Sequence, residues 1–528
     1  MGNSLSTLKP LFSSSSALLL LLAVITHVPV VTASGPFERE ECAAYITAEY
    51  NKTNGTRWNS SILFSIANIS EPILTLNGCE TICGAGTGWY PDIGPRLVEW
   101  FLPIFLLISN MQFPLIGMES FFLVLHLLGD PIDSTWSLLD KIDSWNRCCA
   151  LARKRLTNEA DIWCLAIIYA ARREIEDVSD YQLEQTDINI TSVRTTASDL
   201  LRQRKNEIFR TVFAVAMYIF QVISAFVPSV GASSSPSGGK IGTAMLLSWL
   251  VPVVMLSNTV GDLGSPASTE KTISTFMASN KQPRNIINVS VWSGALYSYR
   301  PNKGLGNSGW RLATISALPV AIAFGTSFTV LEAGPTYFSC RSLFVIGASA
   351  YWGLSALLTY TFSRKAVQSC FSSGKHLWYV ILVKDFLVAA PILSLIVASS
   401  CGYWNTCYCW GGGPAHGDNT KVPLNPTNIF NFNNGKFYPA IVGTGLGFQL
   451  IVFLVMLGFG WHGLRALGLR LPLLNWMTSW WWERRVVRGS NRLAPVAEAE
   501  PQWENRELSC MGIMDENQGG TEIKCEEV

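Results

Sequence analysis

The chain has 528 residues, 49% of them hydrophobic and 15% charged, against roughly 25% charged in soluble domains. That composition excludes an ordinary soluble enzyme or binding module and points to an all-α polytopic membrane protein. The formal net charge of +1 gives no reason to expect nucleic acid as a partner, so the information lies in how charge is distributed along the chain.

Residues 1–34 combine a lone Lys9, an apolar run from Ala17 to Val31 and the small-residue site Val31-Thr32-Ala33. This is the layout of a cleaved secretory signal peptide. Met1-Gly2 with Ser6 also fits a myristoylation pattern, which translocation would remove. Residues 35–96 are polar and hold four glycosylation sequons, at Asn51, Asn54, Asn59 and Asn68, which places them in a luminal or extracellular space. Cys42, Cys79 and Cys83 lie there, where disulfides are the default. Three cysteines cannot all pair among themselves, so one is expected to reach another luminal loop.

Residues 97–460 read as a transmembrane domain. The stretch 98–128 is expected to be one continuous first span, in which Gln112, Glu119 and His126 recur every seven residues and share a helical face with Ser109. Further apolar stretches of about 20 residues follow at 208–230, 241–260, 312–331, 343–362, 377–398 and 438–460. Seven spans put the amino terminus outside and the carboxyl terminus in the cytosol. Charge agrees: Arg153, Lys154, Arg155, Arg172, Arg173, Arg202, Arg204 and Lys205 crowd the loop after the first span, whereas the loops of opposite parity carry little beyond Lys240, Arg341, Lys421 and Lys436. The sequons at Asn189 and Asn288 then fall on the cytosolic side and should stay unmodified.

Within the large cytosolic segment 129–207, Asp130-Pro131 can start a helix that continues through Trp136, Leu139, Ile142 and Trp145 at helical spacing. A second helix is predicted over 159–175. Its apolar core is too short to cross a bilayer and ends at Arg172 and Arg173, so it is expected to be interfacial or packed. Cys148 and Cys149 read as buried or inert thiols in preference to palmitoylation sites. Segment 261–311 reads as an ordered irregular loop, and 231–239, rich in Ser and Gly, as a short flexible connection.

The last luminal loop carries Cys401, Cys407 and Cys409, and Cys340 lies in the loop before it. Seven luminal cysteines predict a disulfide-bonded cap; a metal site that adds His416 and Asp418 is the weaker reading. Residues 461–490 interleave Trp476, Trp480, Trp481 and Trp482 with arginines, as in an interfacial helix lying against anionic lipid of the inner leaflet. Residues 491–528 form an acidic tail predicted to be disordered. Its Cys525 is followed by two glutamates, which excludes prenylation.

Ionisable residues inside spans are functional candidates by default. Here they are Glu119, His126, Lys384 and Asp385, weighed against a plain reading in which Lys384 snorkels and Asp385 pairs with a neighbouring helix. No phosphate-binding loop, paired metal-ligand histidines or serine elbow is present. The sequence therefore implies neither an enzyme nor a cofactor.

Cys79, Cys83 and Gly84 before the first span, followed by Gly129-Asp130-Pro131-Ile132-Asp133 and Ser137-Leu138-Leu139, resemble large uncharacterised multi-span membrane proteins of filamentous fungi. The resemblance covers residues 79–145 and implies a topology and a fungal source, with no activity attached. Seven spans also resemble a G-protein-coupled receptor in outline, but the Asp-Arg-Tyr and Asn-Pro-x-x-Tyr motifs are missing. The functional expectation is a receptor-like or scaffold glycoprotein of the plasma membrane or another secretory-pathway membrane. The alternative is a secondary transporter or channel using Glu119 and Asp385.

Overall fold

A computed structural model describes residues 36–53, 62–66, 72–90, 93–111, 118–175, 189–203, 208–224, 237–261, 266–280, 309–333, 338–362, 374–424 and 433–459. The expected signal peptide, Asn54, Asn59, Asn68, Gln112, Asn288, the Trp/Arg-rich segment and the acidic tail lie outside them.

The polar amino-terminal region builds a small domain. Helix α1 (Arg39–Thr53) is followed by strands β1 (Leu63–Ile66) and β2 (Pro72–Thr75) and by helix α2 (Leu76–Cys83), which Thr75 caps by accepting from the Gly78 amide. Strand β3 (Lys421–Pro423), far along the chain, completes an antiparallel sheet of order β1-β2-β3. This sheet was not expected from the sequence, whose strands here are three or four residues long. Phe37, Ile46, Leu74, Val422 and Leu424 pack between the layers. Arg39 lies over the Trp410 ring at 4.5 Å.

Three disulfides, Cys42–Cys83, Cys79–Cys407 and Cys340–Cys409, hold this cap together and tie it to the helices below. Cys401 is buried and free, whereas the sequence reading counts it with the six cysteines that pair. Seven is an odd number, and the other six partner one another. Cys407 and Cys409 are thereby committed to sulfur, not to a metal with His416 and Asp418.

The helices that follow are α3 (Ile93–Ser109), α4 (Met118–Gly129), α5 (Pro131–Arg153), α6 (Glu159–Ile175), α7 (Ile190–Arg202), α8 (Ile208–Ser224), α9 (Ser237–Leu246), α10 (Leu250–Val260), α11 (Pro266–Ser279), α12 (Gly309–Glu332), α13 (Cys340–Phe362), α14 (Gly374–Cys401) and α15 (Tyr438–Phe459). Among the described residues, five apolar stretches are long enough to cross a membrane: Gly239–Val260, Leu312–Glu332, Cys340–Phe362, Tyr379–Cys401 and Gly435–Phe459. On two of them the outward face carries large apolar side chains while polar ones turn inward. On α13, Leu343, Tyr351, Leu354 and Leu357 are exposed while Ser355 and Thr359 are buried; on α15, Leu450, Ile451 and Val455 are exposed while Gln449 is buried. That inversion is what a hydrocarbon solvent selects.

Two sequence expectations are corrected. The first span is not one helix: α3 ends at Ser109, Asn110 and Met111 leave the helix, and α4 starts afresh at Met118. The stretch 241–260 has the expected membrane-crossing length but is built from two helices, α9 and α10, joined by a turn at 247–249, around which the amides of Leu247, Ser248, Leu250 and Val251 bond to carbonyls three residues back. Segment 261–311 contains a regular helix, α11.

Helices α5, α6, α7 and α11 form a platform at the end of the bundle remote from the cap. Helix α5 begins as expected, with Asp130 capping it by accepting from the Asp133 amide and Pro131 in the first turn. It passes beneath the ends of α10 and α15, where Lys141 donates to the Gly261 carbonyl at 3.0 Å and Asn146 donates to the Phe459 carbonyl at 3.1 Å. Helix α6 is packed, with 165–171 buried throughout. Helix α7 is capped by Asn189, whose side chain accepts from Thr191. Cys148 and Cys149 are buried on α5, and burial pushes the Cys149 thiol up to about 11.

Alkylation of the unreduced protein followed by peptide mass spectrometry is expected to find Cys42–Cys83, Cys79–Cys407 and Cys340–Cys409 as cross-linked peptides. Cys401 should be recovered as a thiol that reacts only after unfolding, together with slow-reacting Cys148 and Cys149.

Candidate functional site

Among the described residues, a dense polar grouping inside the bundle is built where α4 ends and α5 begins. His126 lies in the last turn of α4, Asp130 caps α5, and Asp133 sits in the first turn of α5, a favourable place for a carboxylate. Facing them are Lys384 and Asp385 on α14 and Ser355 and Thr359, one turn apart, on α13. All seven residues are buried, and Asp130 and Asp385 are 0% exposed.

Lys384 Nζ is the hub. It lies 2.8 Å from Asp130 Oδ2 and 2.7 Å from Asp385 Oδ1, and donates to Ser355 Oγ at 2.7 Å and Thr359 Oγ1 at 2.6 Å. Thr359 in turn donates to Asp130 Oδ2 at 2.6 Å. The two oxygens of Asp130 therefore divide their roles: Oδ1 caps α5 and Oδ2 binds the ammonium and the Thr359 hydroxyl. Asp385 divides its own between Lys384 and His126, whose Nδ1 is 2.7 Å from Asp385 Oδ2. The other ring nitrogen, Nε2, is 3.3 Å from Asp133 Oδ2.

Close backbone contact makes this geometry reachable. A Cβ added at Gly129 would come within 2.5 Å of the Asp385 carbonyl oxygen and 2.8 Å of its Cα, so only glycine lets α4 approach α14 here. The Trp352 indole donates to the Leu128 carbonyl at 2.9 Å, satisfying an acceptor left open at the end of α4.

Of the residues singled out from sequence, His126, Lys384 and Asp385 come together. Gln112 is outside the described residues. Glu119 lies in the first turn of α4 by its backbone, and its side chain is not among those described. The break after Ser109 removes the continuous helix on which a shared Gln112–His126 face depended. Lys384 does not snorkel; it turns inward, and Asp385 pairs across to α4. Sequence reasoning took Asp130 and Asp133 only as helix-start residues and passed over Ser355 and Thr359. The available signal was two aspartates directly after an apolar stretch and a Ser/Thr pair at four-residue spacing in another.

Further interhelical polar contacts lie outside this cluster. Gln449 on α15 donates to Ser248 Oγ at 3.3 Å and to the Pro319 carbonyl at 2.9 Å, and Asn258 on α10 donates to the Asn110 carbonyl at 2.7 Å. No protein-family model, curated protein or solved structure matches the chain.

Removing one partner of a buried ion pair leaves an uncompensated charge, typically at a cost of about 3–5 kcal/mol. Lys384→Met is expected to lower the melting temperature in detergent sharply. Adding Asp130→Asn to it should recover part of the loss, since the double variant returns the cluster to its wild-type net charge. Additive losses would show that the two side chains do not interact.

Proposed function

We propose that this chain is a non-enzymatic, seven-span membrane glycoprotein of receptor-like or scaffold type, in which an extracellular or luminal cap is mechanically coupled to a cytosolic helical platform. The observation that carries the reading is that α13 and α14 reach both regions. Helix α13 begins at Cys340, bonded to Cys409 of the cap, and carries Ser355 and Thr359 in its far half. Helix α14 ends at Cys401, whose carbonyl accepts from Tyr90, and carries Lys384 and Asp385. A displacement of the cap therefore acts on the residues that hold α5, the first helix of the platform.

Seven spans follow if α3 and α8 cross as well. Each has 17 residues and an exposed apolar face: Val98, Leu102 and Phe105 on α3, and Phe209, Val212, Phe213 and Phe220 on α8. The sequons and charge asymmetry favour a cap in the secretory lumen or outside the cell. The basic Trp-rich segment after α15 favours anionic lipid at the opposite face. Buried and committed to His126 and Lys384, Asp385 is better suited to a structural coupling than to lining a substrate path.

Topology is tested by endoglycosidase treatment. A mass shift is expected in the wild type and should disappear when Asn51, Asn54, Asn59 and Asn68 are all replaced; Asn189, engaged as the cap of α7, should carry no glycan. Coupling is tested by hydrogen exchange in nanodiscs. Replacing Cys340 and Cys409 by Ser should reduce protection of α5 amides although both cysteines lie in the cap region. In liposomes the protein should give no proton or cation flux above empty vesicles. A flux abolished by Asp385→Asn would establish the transporter alternative instead.

A further inference from the structure

The ring of His126 is held between carboxylates on opposite sides, Asp385 Oδ2 at 2.7 Å from Nδ1 and Asp133 Oδ2 at 3.3 Å from Nε2. A neutral imidazole has one N–H. Nδ1 is hydrogen-bonded to Asp385, while Nε2 lies close to Asp133 without hydrogen-bond alignment; whichever nitrogen carries the single proton, the other keeps an unprotonated lone pair within 3.3 Å of a carboxylate oxygen, and two carboxylates so close to an enclosed ring favour its cationic form. We propose that Asp385, His126 and Asp133 form a proton-binding site, which holds one proton beyond that of a neutral imidazole and uses it to fasten the start of α5 to α14.

The charged groups around the ring come from two neighbouring elements. Helix α5 and its cap present Asp130 and Asp133, and α14 presents Lys384 and Asp385; the hydroxyls of Ser355 and Thr359 on α13 reach Lys384 and Asp130 behind them. The ammonium is already occupied by Asp130, Asp385 Oδ1 and the two hydroxyls. Asp385 therefore uses one oxygen toward a fixed charge and the other toward an exchangeable one. Asp133, tied by its backbone amide to Asp130 Oδ1, moves with the cap of α5.

The consequence follows from the sign of the charge. With the proton present, the imidazolium attracts Asp385 and Asp133 and draws α14 and α5 together. When it leaves, the attraction ends and a lone pair faces a carboxylate, so the attachment of α5 is firm at lower pH and loosens as pH rises. The functional meaning of that loosening rests on the coupling reading above; the existence of the proton site does not.

Two measurements on the full-length protein in nanodiscs test this. The chain has five histidines, so nitrogen NMR of histidine-labelled protein is tractable, with His126→Gln identifying the His126 resonances. Both ring nitrogens are expected at imidazolium positions at about pH 7.5, where an exposed histidine is neutral. A neutral tautomer there would overturn the proposal. Hydrogen exchange of the first two turns of α5, corrected for the intrinsic rate, should lose about tenfold or more in protection as pH is raised to about 9. The profile should be flat in His126→Gln. A wild-type profile as flat as the variant's would show that the proton does not fasten α5. Loss of the cap-to-platform effect with the imidazolium signal intact would sink the coupling reading alone.

Discussion

An ammonium group among apolar helices needs compensation from every direction at once, and Lys384 has it. Two carboxylates balance its charge, and two hydroxyls complete the shell around a head group with only three donors. The partners come from three separate parts of the chain, so the cost of enclosing the charge is recovered only when all three are assembled. The arrangement thus selects one packing of α13, α14 and the α4–α5 junction over the many that apolar contacts alone would allow. Apolar surface drives little discrimination between helices in hydrocarbon, which leaves hydrogen bonds and close packing to fix their order.

From this junction the platform inherits its position. Asp130 is at once the partner of Lys384 and the cap of α5, so the charge that anchors the cluster also starts the helix that runs beneath α10 and α15. At the other end, Cys340–Cys409 and Cys79–Cys407 join segments far apart in sequence and fix the cap upon the helix ends. Covalent constraint serves where the chain is polar and irregular, and buried charge serves where it is apolar.

The sequence makes the apolar helices legible because hydropathy over a bilayer-length window needs no knowledge of neighbours. It makes the start of α5 legible because Asp-Pro is a local signal, and the pairing of most cap cysteines legible as a class though not as a connectivity. What it cannot display are features decided by contacts. The breaks after Ser109 and at 247–249 change hydropathy over a bilayer-length window little, since Ser109, Asn110 and Gln112 in one run and Ser248 in the other are few polar residues among many apolar ones. The three-stranded sheet depends on β3, which comes from a loop more than three hundred residues after β2. His126, Lys384 and Asp385 stand out as ionisable residues in spans, but their convergence with Asp130, Asp133, Ser355 and Thr359 is set by how α4, α13 and α14 pack.

The break within Gly239–Val260 shows how the same constraint operates away from the charges. Of the five long stretches, Gly239–Val260 is the most enclosed, with 83% of its apolar window buried against 33–44% for the others. Backbone that leaves regular helical geometry is tolerated at membrane depth only where protein surrounds it, and the turn at 247–249 lies in that position. Pro252 has no amide to give Ser248, whose carbonyl is taken instead by Val251 at 3.1 Å, while Gln449 reaches the Ser248 hydroxyl from α15. Trp249 then packs edge-on against Trp352 at 5.7 Å, the same tryptophan whose indole holds the end of α4 at Leu128. The central break and the buried charges are therefore linked through one side chain, so that a change in α9 and α10 is felt at the junction that positions His126.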